Sequence, residues 1–292
     1  MSPARLAVIG VGSIGGSFAR ALRAAGAVRE VVGFGLDRAD LERARALGVI
    51  DAIAPDPAAA VAGRDLVVIA VPVGAVRDVL GAIAPSLPPA AIITDVGSVK
   101  TQVVADARAV LGAAFARFVP GHPIAGTERS GVDASDAAMF SGRRVLLTPV
   151  ADTARGAVET VAAAWRLAGA HVEEMEPQRH DAILAATSHL PHVLAFAFVD
   201  CMLGIDESRA TWRHSGGGFR DLSRIAASSV DMWHDILTAN REPVLDCVDR
   251  YRSALGHFAQ VLRSGDGSAL RALLERARAA RVAFSEDSAV GD

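Results

Sequence analysis

A strand-like run, RLAVIG at 5–10, passes without a break into GVGSIGG at 10–16 and then into a stretch with helical spacing that ends at Gly26. A tight strand-to-helix turn with glycines at 10, 12 and 15 restricts what can follow, because it matches the head of a βαβ unit. The next segments keep that rhythm. EVVGFG (30–35), DLVVIAVP (65–72) and AIITDVG (91–97) are short apolar runs, and helical stretches such as ADLERARALG (39–48) lie between them. DLVVIAVP is almost continuously apolar, as expected of a strand covered on both faces. RRVLLTPV (143–150) and HVEEME (171–176) are expected to add further strands. The predicted fold is therefore α/β, a Rossmann-type doubly wound parallel sheet. From Pro177 onward long helical stretches replace this pattern, which places a boundary near 176. Residues 1–176 are expected to form an α/β domain, and 177–292 an all-helical one.

The glycines also carry chemistry. Gly10 suits the tight turn, Gly12 lets backbone approach a pyrophosphate, and Gly15 brings the helix close to the sheet, with the helix N-terminus facing the anion. Ser13 and Ile14 in the loop, and Val71 and Pro72 after the third strand-like run, join the expected cofactor-binding set. An acidic residue about 20 positions beyond the last glycine would bind a ribose hydroxyl of NAD. Gly35 holds that place here and Asp37 follows two residues later. Asp37 favours NAD, whereas Gly35 with Arg38 as a phosphate partner would favour NADP; the reading leans to NAD.

Composition excludes other classes. Of 292 residues, 51% are hydrophobic and 22% charged, too apolar for a disordered chain. A net charge of −3 without a basic patch argues against nucleic acid as a partner. No uninterrupted apolar run approaches the roughly 20 residues of a membrane span, and the N-terminus lacks signal-peptide features. Two distant cysteines, Cys201 and Cys247, are expected to be buried free thiols in a reducing cytoplasm.

Three further stretches resist a scaffold reading. DVGSVK (95–100) lies where open α/β sheets bind ligands. GHPIAGTERSG (121–131) has no helical or strand period, so it is expected to be a loop, and it carries His122 and Glu128. GGGFRDLSRIAASSVDMW (216–233) carries Arg220, Asp221, Arg224 and Trp233. Arg220 and Arg224 share one helix face, where guanidinium forks match a carboxylate, although a solvated charged face gives the same pattern. Trp233 is equally readable as core. His189 and His192 have i,i+3 spacing with His180 nearby, but no HExxH-like pattern accompanies them, and no metal is expected.

Together GVGSIGGSFARAL, DVGSVK, GHPIAGTERSGV, SHLPH (188–192) and GGGFRDLSRIAASSVDMW resemble the prephenate/arogenate dehydrogenase family of tyrosine biosynthesis, in order and across nearly the whole chain. The resemblance implies NAD(P)-dependent oxidative decarboxylation of prephenate or arogenate by a homodimer. It further implies that His122 takes the proton of the substrate's ring hydroxyl and that Ser98, also near the cofactor, hydrogen-bonds that hydroxyl. Arg224 is implied to hold the ring carboxylate and His192 to be a second active-site histidine. Glu128, Asp221 and Trp233 are implied to shape the substrate side-chain end or gate the cleft, and Arg220, beside Arg224, is expected to help grip a carboxylate. Two other readings stand beside this one. Other two-domain dehydrogenases, of β-hydroxyacid dehydrogenase or imine reductase type, place a lysine on the first interdomain helix, whereas the only lysine here is Lys100. A non-catalytic dinucleotide sensor would leave Ser98, His122 and Arg224 without a purpose.

Overall fold

The computed structural model describes residues 4–126, 129–204 and 212–290, the side chains of 284–290 excepted. Two compact units divide the chain, 1–241 and 242–292.

In the first unit, β1 (Ala4–Ile9), β2 (Val28–Phe34), β3 (Ala52–Ile53), β4 (Leu66–Ile69), β5 (Ile92–Asp95) and β6 (Phe118–Val119) form a sheet in the order 3-2-1-4-5-6. Every pairing in it is parallel. This is the doubly wound order with its strand reversal between β1 and β4.

Side-chain alternation explains why the strands are apolar throughout. Leu6 and Val8 of β1 and Leu66 and Val68 of β4 point into one core, while Ala7, Ile9, Val67 and Ile69 point into the other. The first core is closed by α1 (Ser13–Ala24) and α6 (Arg155–Leu167), where Phe18 and Phe140 pack on Trp165 with centroids 4.3 and 5.0 Å away. The second is closed by α3 (Pro57–Val61), α4 (Val76–Ile83) and α5 (Thr101–Leu111). Each fully buried Val, Leu or Ile contributes about 1.5–3 kcal/mol, so covering both faces is what stabilises so many apolar strand positions. Between β2 and β3 lies α2 (Arg38–Ala46).

Two expectations change here. The RRVLLTPV and HVEEME segments do form strands, β8 (Arg144–Leu147) and β9 (His171–Glu174), but in a separate three-stranded sheet. Its third member is β7 (Gly121–Pro123), inside the segment expected to be a loop. β7 pairs antiparallel with β8, His122 opposite Leu146, a long-range match that a three-residue strand cannot announce by periodicity.

The helical region of the first unit starts with α7 (Pro177–Leu184), a π-helical turn (Ala185–His189) and α8 (Leu190–Leu203). Pro191 has no amide to donate, and a π turn just before it is a common way of absorbing such a break. By length and composition this continuous helix, Pro177–Leu203 with mean hydropathy 1.6, could cross a membrane, a qualification to the sequence expectation. α9 (Gly217–Arg224) and α10 (Val230–Ala239) follow, and Trp233 and Ile236 of α10 pack into the second core. The second unit consists of α11 (Arg241–Ser264) and α12 (Gly267–Val290), with Leu255, Leu262 and Leu274 exposed. Both cysteines are unpaired, but Cys201 is exposed and Cys247 half-buried. Their helices leave those faces uncovered, so the expected burial fails.

Candidate active site

The glycine loop has the shape its sequence requires. Gly10 has φ +95°, and a Cβ there would sit 2.3 Å from the Ala70 carbonyl oxygen, so the turn needs glycine. A Cβ on Gly15 would meet the Gly10 oxygen at 2.3 Å, which fixes how closely α1 approaches the sheet. At Gly12 the space within 4 Å is open, and no side chain caps α1. Uncapped amides beside an open glycine fit a pyrophosphate, so the loop suits a nicotinamide dinucleotide. Val71 and Pro72 follow β4 beside this turn, and the Val71 Cγ1 would lie 3.2 Å from a Gly10 Cβ. The Ser13 hydroxyl donates to the Ala134 carbonyl at 3.5 Å, and Ile14 faces Gly126, so the 121–131 segment adjoins the helix start. Asp37 caps α2, its Oδ1 accepting from the amides of Ala39 (2.7 Å) and Asp40 (3.2 Å). Arg38 is paired with Glu42 at 2.6 Å.

At the carboxyl end of β5 a buried ion pair braces the second motif. Lys100 and Asp95 have fully buried side chains and are bonded to each other. Asp95 also accepts from the amides of Gly97 (2.8 Å) and Gly121 (3.1 Å), and the Lys100 ammonium donates to the Gly121 carbonyl at 2.7 Å. Burial pushes the lysine down and Asp95 opposes that. The chain's single lysine thus ties the DVGSVK loop, including half-buried Ser98, to the residue immediately before His122.

From His122 a polar chain runs into the helical region. His122 Nδ1 lies 2.9 Å from His180 Nε2, and His180 Nδ1 lies 2.8 Å from Asp181 Oδ1. Asp181 accepts from the amides of Lys100 and Thr101, both at 2.8 Å, and so caps α5 from a distant segment. Its own carbonyl accepts from Asn240 Nδ2 at 2.9 Å, and that amide also lies 3.0 Å from His189 Nδ1. Trp233 joins the two histidines of SHLPH: its ring is stacked on His192 at 3.7 Å and edge-on to His189 at 5.9 Å. Trp233 is buried, as a core reading expects, yet its Nε1 has no partner among the described residues. Burial lowers the His192 imidazole, its bond to the Ser188 carbonyl opposes that, and the nearby Arg224 charge lowers it further.

The electrostatics follow from burial. It holds the His122 imidazole well below its ordinary 6.5, and repulsion from His180, Lys100 and His189 acts in the same direction. His122 is therefore neutral at cellular pH. Burial also raises the Asp181 carboxyl, but bonds from His180, Thr101 and the Lys100 amide outweigh it and leave the group below the usual carboxylate value. His189 is pushed down to about 4, first by burial.

That last value has a measurable consequence. The unfolded chain binds this proton near 6.5 and the folded chain near 4, so the stability contributed by neutral His189 is complete above pH 6.5. It is lost as pH falls toward 4, by an amount of order 3 kcal/mol. A His189→Gln variant, which does not titrate, should lose stability less steeply than wild type between pH 7 and 4.5 in urea denaturation. Parallel stability curves for the two proteins would show that His189 is not buried in the neutral form.

The structure thus links His122, His192 and Trp233 through one series of contacts, with the Arg224 charge near His192. Arg220 and Asp221 are exposed on α9, where the Arg220 guanidinium donates to the Ser215 carbonyl at 3.5 Å. Glu128 lies outside the described residues. Sequence reasoning missed His180, Asp181, Asn240 and the Lys100–Asp95 pair. Only the uniqueness of the lysine could have drawn attention to any of them, since His180 and Asp181 follow two other polar residues, Gln178 and Arg179, in the same helix.

Comparison with known proteins gives the family. Family models described as the prephenate dehydrogenase nucleotide-binding domain and the prephenate dehydrogenase dimerization domain match residues 18–174 and 176–276. A cyclohexadienyl dehydrogenase of Zymomonas mobilis is 37% identical over 286 residues, covering 97% of this chain and 96% of that protein. The crystal structure of Aquifex aeolicus prephenate dehydrogenase in complex with hydroxyphenyl propionate and NAD+ superposes with a TM-score of 0.91 at 34% identity, covering 97% of this chain and 99% of that one. Synechocystis arogenate dehydrogenase follows with a TM-score of 0.81 at 25% identity, covering 96% and 99%. Two consecutive family models and full-length similarity to such a relative place the matter beyond fold likeness: the chain belongs to the prephenate dehydrogenase family.

Proposed function

We propose that this chain catalyses oxidative decarboxylation of prephenate or arogenate with NAD, with His122 as the general base. The observation that carries the reading is the His122 imidazole, kept neutral by burial and hydrogen-bonded at Nδ1. Bound NAD supplies the hydride acceptor. In the reaction the C4 hydrogen leaves the cyclohexadienol as hydride and the ring carboxylate leaves as carbon dioxide. The hydroxyl proton passes to His122 as the ring oxygen becomes a carbonyl, and it returns to that oxygen as carbon dioxide leaves and the ring becomes aromatic, giving 4-hydroxyphenylpyruvate from prephenate or tyrosine from arogenate. Drawing off that proton raises electron density at C4 as hydride departs. Ser98 orients the same hydroxyl from the loop braced by Lys100 and Asp95. Arg224 holds the ring carboxylate beside His192 and Trp233, and Arg220 and Asp221 edge the mouth.

Asp37 supports NAD over NADP, because its carboxylate is held near the end of β2 where a 2′-phosphate would meet like charge, and Arg38 is engaged by Glu42. We further propose residues 1–176 as the nucleotide domain and 177–292 as the helical domain of a cytoplasmic homodimer. The apolar faces of α8 and of α11 and α12 support a second copy as their cover. A sedimentation mass of one 30.2 kDa chain would argue against the dimer.

Lys100, locked in its buried pair, is not the free lysine of other two-domain dehydrogenases, and a sensor would not need a neutral base. The test is absorbance of reduced cofactor with prephenate or arogenate and either dinucleotide. No turnover in any combination would remove the reading, and turnover with NADP alone would remove the role given to Asp37.

A further inference from the structure

We propose that His180 and Asp181 are positioning residues that hold His122 in its Nδ1–H tautomer, leaving Nε2 as the basic nitrogen. This rests on the reading of His122 as the base and assigns a role to two residues outside the motifs that carry that reading.

With both imidazoles neutral, the hydrogen bonds leave one consistent set of protons. Asp181 is an ionised carboxylate, since it accepts from two backbone amides as well as facing His180. A carboxylate only accepts, so the proton between it and His180, 2.8 Å apart, sits on His180 Nδ1. A neutral His180 then has an unprotonated Nε2. That nitrogen lies 2.9 Å from His122 Nδ1, so the shared proton is carried by His122. Neutral imidazole holds one proton, and His122 Nε2 is therefore free to accept. The Asp181 end does not drift, because the same carboxylate caps α5 and the Asp181 carbonyl is held by Asn240. Capping a helix and selecting a tautomer are thus done by one side chain.

The device also shares charge during the reaction. When the substrate hydroxyl gives its proton to His122 Nε2, no proton needs to leave the site. The imidazolium keeps its Nδ1–H pointed at His180 Nε2, and the His180 Nδ1–H bond to Asp181 strengthens as positive charge builds. The imidazolium would otherwise face the like charge of Lys100, itself balanced by Asp95.

The test joins kinetics to a direct view of the ring. Nitrogen-15 histidine labelling of the full-length protein resolves which nitrogen of His122 carries hydrogen, with assignment by the His122→Asn spectrum. Wild type should show a protonated Nδ1 and a bare Nε2. In His180→Ala the His122 signals should average between tautomers, and kcat should fall about 100-fold with prephenate KM and NAD affinity nearly unchanged. His180→Gln restores an acceptor toward Nδ1 and should recover activity to within about 10-fold of wild type. A structural role alone would lower stability or raise KM without moving the tautomer. If His180→Ala does not fold, the wild-type spectrum and His180→Gln decide the matter. A wild-type His122 carrying its hydrogen on Nε2 overturns the proposal whatever the kinetics. Undiminished turnover by His122→Asn would instead defeat the reading of His122 as base, while the nitrogen spectrum would still report its tautomer.

Discussion

His122→Asn should lower kcat about 1,000-fold while leaving the prephenate KM within a few-fold, in the range typical of removing a general base. Asparagine keeps polarity and volume in the short strand β7 but cannot take a proton. The substrate hydroxyl would then have to lose its proton to water while hydride departs, and the two events would no longer reinforce each other. Binding should survive, because the groups proposed to hold the carboxylates lie on α8, α9 and α10 rather than on β7. The pH profile supplies a second check. Because burial keeps the His122 imidazole well below 6.5, activity in wild type should persist below that pH before its acid limb appears. A free, solvent-like histidine would place the limb near 6.5 itself. Steady-state kinetics with both substrates would settle this, and a variant retaining a tenth of wild-type kcat would exclude His122 as the base.

The largest expected effect on stability comes from Asp95→Ala. It removes one member of a fully buried ion pair and leaves the Lys100 ammonium with the Gly121 carbonyl as its remaining partner. Breaking such a pair from one side costs about 3–5 kcal/mol, because the survivor keeps its desolvation cost without the attraction that offset it. The amides of Gly97 and Gly121 lose their acceptor as well. At roughly 2–4 °C per kcal/mol for a chain of this size, the melting temperature should fall by about 10 °C. Removing both charges, in Asp95→Leu with Lys100→Met, should recover much of that loss, since an apolar pair leaves no stranded charge. Thermal melts of the single and double variants make the comparison. A single variant melting within about 2 °C of wild type would mean that water reaches the pair.

The parts legible in the sequence are those in which local pattern and burial coincide. β1 and β4 were visible as apolar runs because a sheet covered on both faces makes both alternating sets of side chains apolar. The glycine turn was visible because positions 10 and 15 tolerate no Cβ, a constraint written directly into residue type. Periodicity mislabelled residues 121–123, since a strand of three residues has no period, and it could not tell that β8 and β9 build a second sheet.

What the amino-acid order determined alone was therefore the alternation of covered strands and helices, the phosphate-facing turn, and the residue types available for chemistry. Only tertiary structure decided what those residues do. His180 and Asp181 are neighbours in sequence, but their partners His122, Lys100 and Thr101 lie about 60 to 80 positions earlier. Lys100 looked like an isolated cation until folding placed it against Asp95 and the Gly121 carbonyl. Apolar burial repeats with the period of the element and leaves a trace along the chain. A hydrogen bond between distant side chains depends on where two elements meet, and neither partner's neighbours record it.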